Sequence, residues 1–140
     1  MNKRLLLYAC VLAFLLWLVN TLANAFYWYS AIWWFDIPMH IFGGFFLSFL
    51  VGSFFFQKLS VLRKREVTIS VLLMVLLLGF GWEIFEYTVQ YLIKGAQLAN
   101  IPDSVKDMLM DLIGGLCAVP FVLRALSLYN RAHVKGNQHN

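Results

Sequence analysis

Four apolar runs, each about as long as the roughly 20 residues a helix needs to cross a bilayer, constrain this chain more than any other feature. They cover residues 5–23, 38–56, 67–93 and 104–126, and little of the 140-residue chain is left over to build anything else. Hydrophobic residues make up 61% of the sequence and charged residues 13%, against about half and about a quarter in soluble domains. Mean hydropathy is +0.74. So short a chain can bury this much apolar surface only in lipid, so the expected fold is all-α and polytopic: one domain over residues 1–128, with four transmembrane helices as two hairpins and a loose polar tail at 129–140.

The first run follows Lys3 and Arg4 and reaches Ala23-Asn24-Ala25, which has the form of a signal-peptidase site. The run exceeds the 7–15 residues of an ordinary secretory apolar segment, and it is read as a retained helix. Orientation follows from the basic residues. Lys3, Arg4, Lys58, Arg63, Lys64, Arg65, Arg124, Arg131 and Lys135 fall on one side of the four-helix arrangement and only Lys94 and Lys106 on the other, so both termini are expected in the cytoplasm. The net charge of +4 is thereby assigned to topology, and no nucleic-acid partner is expected. Cys10 and Cys117 lie in apolar runs without metal-type spacing and read as small core residues.

The acids do not follow the loops. Six of the seven, Asp36, Glu83, Glu86, Asp103, Asp107 and Asp111, converge on one depth when each helix is followed at 1.5 Å per residue. Glu83 comes about 24 Å up a core roughly 30 Å thick, while His40, Asp107 and Asp111 enter from the far side to about 3, 5 and 10 Å. Only Glu66 lies elsewhere, among the basic residues. A charge in a bilayer costs about 2.5–3.5 kcal/mol at the centre and less near the interface, so these acids must face inward, toward water, protons or metal.

Helical register supports a common site. Asp36 and His40 are four apart, with Gly43-Gly44 one turn on; Asp107 and Asp111 are four apart, with Gly114-Gly115 one turn on; Glu83, Glu86 and Gln90 share one face of the third run. The repeated spacing suggests two parallel hairpins about a pseudo-twofold axis, with the glycines allowing close helix approach beneath the polar layer. Asp36 and Asp103 each precede a proline-bearing or polar helix start and read also as N-caps. Between residues 24 and 37 the stretch is dense in aromatics, as expected of a membrane-water interface belt.

Trp34-Phe35-Asp36, His40 with Gly43-Gly44, Trp82-Glu83-Ile84-Phe85-Glu86-Tyr87, and Asp103, Asp107-Met108 with a following Gly-Gly resemble the YjdF-like family of small bacterial inner-membrane proteins. They are more distantly similar to the VanZ-like family associated with glycopeptide resistance. The resemblance spans roughly residues 30–120 and implies a multi-pass protein of the bacterial inner membrane, with His40, Glu83, Glu86, Asp103 and Asp107 as its polar set. It implies no reaction. Asp111 stands where the VanZ-like pattern has Asn.

Two classes of function fit. In the first, His40, Glu83, Glu86, Asp107 and Asp111 hold Mg, Mn, Fe or Zn, and Glu83, Glu86 and Asp107 carry out metal-assisted attack on an envelope lipid or lipid-linked substrate bound by Trp33, Trp34, Asp36 and Asp103. In the second, the protein has no cofactor and binds an envelope lipid or glycopeptide; a proton- or cation-coupled transporter is the weaker form, because residues 71–78 of the third run offer no polar path inward. A homo-oligomer is compatible with either.

Overall fold

A computed structural model describes residues 1–94 and 101–136, with side chains for residues 1–93 and 101–132. The described chain is helical: α1 (Lys3–Ala25), a short α2 (Trp28–Ala31), α3 (Asp36–Phe54), a short α4 (Phe56–Ser60), α5 (Lys64–Lys94) and α6 (Ile101–Gly136). Helices α1, α3, α5 and α6 are each long and apolar enough to cross a membrane, as the four runs predict. The protein is a multi-pass membrane protein.

Local chemistry sets the ends. Asn2 caps α1, its side chain accepting from the Arg4 and Leu5 amides at 3.0 and 3.1 Å. The Asn2 amide then donates to the Ser53 carbonyl, and the Ser53 hydroxyl to the Asn2 carbonyl, each at 3.0 Å, which ties the start of α1 to the end of α3. Glu66 reaches back to the Arg63 amide at 2.8 Å and caps α5. Near the end of α6 the Asn130 side chain donates to the Ser60 carbonyl at 2.9 Å, and Tyr129 meets Phe56 edge-on at 5.2 Å. These contacts gather both described termini and the α3–α5 connection, with Lys3, Arg4, Lys58, Arg63, Lys64 and Arg65, at one end of the bundle.

Three expectations are corrected here. Residues 129–136 are not loose: α6 continues to Gly136, because Tyr129 and Asn130 have packing and hydrogen-bond partners on α4; residues 137–140 lie outside the described residues. Asp36 and Asp103 are not N-caps. The helices start at Asp36 and Ile101, which puts both acids inside the first turn, and no side chain caps the start of α3. Cys10 and Cys117 are exposed on lipid-facing surfaces rather than in the core, since an apolar run in a bilayer protein supplies both surfaces.

The core is a seam along three helices. On α5 it is Val67, Val71 and Val75; on α6 Ala118, Val122 and Leu126; on α3 Ser48, Val51 and Gly52, all buried. Helix α3 is central and touches α1, α5 and α6; α5 also packs on α6, whereas α1 rests on α3 and makes no comparable contact with α5 or α6. The pseudo-twofold suggested by the sequence therefore describes the α3–α6 pair and does not extend to the outer helices. One turn nearer the acidic end, glycines bring the helices to backbone contact. A Cβ on Gly44 would strike the Asp111 carbonyl, and one on Gly114 would strike the Ile41 carbonyl. The Ser48 hydroxyl, beneath them, donates to the Gly115 carbonyl at 3.3 Å.

Candidate metal centre

The seam turns polar where it passes the glycines. Continuing each four-residue stripe leads from Gly44 to His40 and Asp36 on α3, from Gly115 to Asp111, Asp107 and Asp103 on α6, and from Gly79 to Glu83 on α5. The residues that set the packing thus also set the aim of the acids.

His40 is the hub, and it is buried, at 9% exposure. Its Nε2 lies 3.6 Å from Asp36 Oδ1 and 3.9 Å from Asp107 Oδ2, and its Nδ1 lies 3.5 Å from Asp111 Oδ1. Both ring nitrogens therefore face carboxylates at separations wider than a good hydrogen bond. Asp36, His40 and Asp107 each offer a ligand atom within 4.8 Å of the others. Ligands bound at about 2.0–2.2 Å to one cation stand roughly 3–3.5 Å apart, so a small inward movement of these side chains would complete a shell.

Asp107 and Asp111 are 5% and 4% exposed. The Asp111 carboxylate is wedged between helices: a Cβ on Gly79 of α5 would come within 2.8 Å of its Oδ2, and one on Gly43 of α3 within 3.3 Å of its Oδ1. Two buried carboxylate oxygens, Asp107 Oδ1 and Glu83 Oε1, have no hydrogen-bond partner among the described residues. An orphaned buried acceptor is costly, and more so when charged. Lys106 is the lysine of this cluster. Its Nζ stands 2.6 Å from Asp103 Oδ1, 3.5 Å from Asp107 Oδ1 and 3.9 Å from Asp36 Oδ2, in reach of Asp107 as an ion pair without hydrogen-bonding it.

The remaining expected site residues are placed less tightly. Glu86 is exposed on α5, accepts from the Gln90 amide at 3.0 Å, and is within electrostatic range of Glu83, Asp36 and His40. Asp103 lies at the mouth and is held by Lys106. Trp33 and Trp34 are 85% and 50% exposed. The aromatic residue that does approach is Tyr29, which sequence reasoning did not separate from its neighbours. It follows Tyr27, whose left-handed backbone (φ 56°) turns the chain. The Tyr29 ring packs edge-on against Phe35 at 5.1 Å, and its hydroxyl donates to the Asn20 side chain of α1 at 2.8 Å. Burial, with the nearby Asp36 and Glu86 charges, pushes its phenol up to about 12.

This arrangement can hold a cation and polarise what the cation binds. Comparison with curated proteins and with solved structures finds no match. A family described as predicted membrane proteins, DUF2238, matches residues 3–127. That fits the YjdF-like resemblance; the VanZ-like one is not shown by it. With nearly the whole described bundle inside the match, the chain belongs to the DUF2238 family of predicted membrane proteins.

Proposed function

We propose that the acidic end of the bundle is a divalent-cation centre facing outward from the bacterial inner membrane, and that it acts on an envelope lipid or lipid-linked substrate. The observation that carries this reading is two buried carboxylate oxygens without a hydrogen-bond partner among the described residues, Asp107 Oδ1 and Glu83 Oε1, together with a His40–Asp36–Asp107 cluster of ligand-forming geometry. Six carboxylates at this level answer to Lys106 and at most a protonated His40 among the described residues, so a dication would satisfy both the orphaned oxygens and the excess negative charge. Asp36, His40 and Asp107 would hold it, with Asp111 and Glu83 beside them. Carboxylate and imidazole ligands suit Mg, Mn, Fe or Zn. Bound there, the ion would activate water against an ester or phosphate, and Glu83 and Glu86 would take up the proton.

A lipid partner is supported by access. Helix α1 makes no extensive contact with α5, and their polar side chains Asn20 and Glu86 are exposed, with Tyr29 near both, which would offer an amphiphile an approach from the membrane side. One observation favours a non-enzymatic lipid- or glycopeptide-binding protein instead: Lys106 already pairs with Asp36 and Asp107, which would let the cluster persist as a metal-free ion-pair network.

Elemental analysis of protein purified without chelator, followed by calorimetric titration with Mn2+, separates the two. The expected result is near-stoichiometric metal in the wild type, with affinity lowered by at least about 100-fold in Asp107→Asn and Glu83→Gln, more than an outer-shell contact would cost. Wild-type protein that takes up no Mn2+, Fe2+, Zn2+ or Mg2+ would exclude the metal centre and leave the binding protein. A screen of lipid-linked phosphates and esters with the loaded protein then tests catalysis.

A further inference from the structure

Lys106 occupies an odd position for a surface lysine. It directly precedes the buried Asp107, and its Nζ lies within ion-pair distance of Asp36 and Asp107, two of the three clustered ligands. Yet it donates its one hydrogen bond to neither. That bond, at 2.6 Å, goes to Asp103 at the mouth, whose side chain is 49% exposed. The ammonium therefore stands between the ligand oxygens and the opening, pulled outward by a partner three residues back on the same helix.

A lysine is a compact point charge on a flexible stem, and here it is tethered, so it competes with any cation at a fixed high local concentration. It also repels an incoming dication. We propose that Lys106 is a built-in competitor of the metal and that Asp103 is its parking place: cation binding at Asp36, His40 and Asp107 drives the ammonium fully onto Asp103, and loss of the cation lets it lean back. The inference rests on the metal reading above. It makes Lys106 and Asp103 positioning residues that set affinity without ligating, and it gives a centre that exchanges its ion rather than holding it permanently.

The test is a double-mutant cycle in Mn2+ affinity, measured by calorimetry on the full chain in detergent, with thermal unfolding of each variant to establish folding. Lys106→Gln is expected to tighten binding about tenfold or more, the scale of one charge several ångströms from a dication where solvent screens it. Lys106→Arg keeps the charge and should stay near wild type. Asp103→Asn, though it removes no ligand, should weaken binding severalfold because the lysine then settles on Asp107 and Asp36. In the Lys106→Gln background the same Asp103→Asn change should have less than about a twofold effect.

Unchanged or weaker binding in Lys106→Gln overturns the competitor. An equal Asp103→Asn penalty in both backgrounds overturns the parking role and reduces Asp103 to a general negative charge. If wild type and all variants bind no Mn2+, the metal reading fails and this inference with it; wild-type binding with a flat cycle removes this inference alone.

Discussion

Tyr29 shows how much a single residue at the acidic end depends on the tertiary fold. Its hydroxyl joins α1 to the site through Asn20, and its proton is held by burial beside Asp36 and Glu86. The unfolded phenol releases its proton near 10, and the folded one only near 12. Between those values the folded protein holds more protons than the unfolded one, so stability should fall as pH rises through that window. Thermal unfolding across pH 9–12 should show the decline, and Tyr29→Phe should flatten it; an unchanged decline would mean the phenol titrates freely. The register of Asp36, His40, Asp107 and Asp111 was legible because a four-residue spacing survives whatever the helix packs on. Tyr29 was not, because in a string of aromatics only the turn at Tyr27 decides which ring points back. Lys106 was legible as a charge on the acidic side, but its contacts with Asp36 and Asp103 were not, since they depend on how α3 meets α6 and on the lysine's rotamer.

At the scale of elements, the close approach of α3 and α6 positions everything above it. Gly44 and Gly114 each lie against a backbone carbonyl of the other helix, and a backbone cannot rotate aside as a side chain can. Gly44→Ala or Gly114→Ala should cost about 3 kcal/mol or more of stability, at the upper end of overpacking effects, and should disperse the acids as well. Gly81 has nothing within 4 Å of an added Cβ, so Gly81→Ala should be neutral or gain up to about 1 kcal/mol of helix propensity. Unfolding of the three variants in parallel checks this; equal losses would mean that the glycines serve the helices rather than their crossing. The four long helices were readable from run length, and the short α2 and α4 were not. Element ends were not, because the extension of α6 depends on Phe56 and Ser60 of α4, remote in sequence and invisible to any local pattern.

Taken whole, the molecule separates its charges end to end. The basic residues collect where α1 starts, α3 and α6 end and α5 begins, and the acids collect where α3 and α6 start. From the excess of basic residues we propose that the first of these ends lies in the cytoplasm. A reporter fused after the last residue should therefore be active only if it is of the cytoplasmic kind, and activity of a periplasmic reporter there would invert the proposed orientation. The two hairpins were legible from the apolar runs, whereas the packing of α1 chiefly on α3 was not, since run length and hydropathy do not say which neighbours a helix touches.

The backbone crossing beneath the acids has one more consequence. Below Asp111 the three helices close on Gly44, Gly115, Ser48 and Val75, with no further acid along the described seam until Glu66 at the other end. On the proposed metal reading, an ion entering at the acidic end would find no further carboxylate below Asp111 along the described seam until Glu66. The bundle would then be a cul-de-sac, spending a cation's charge at the face where the ion entered.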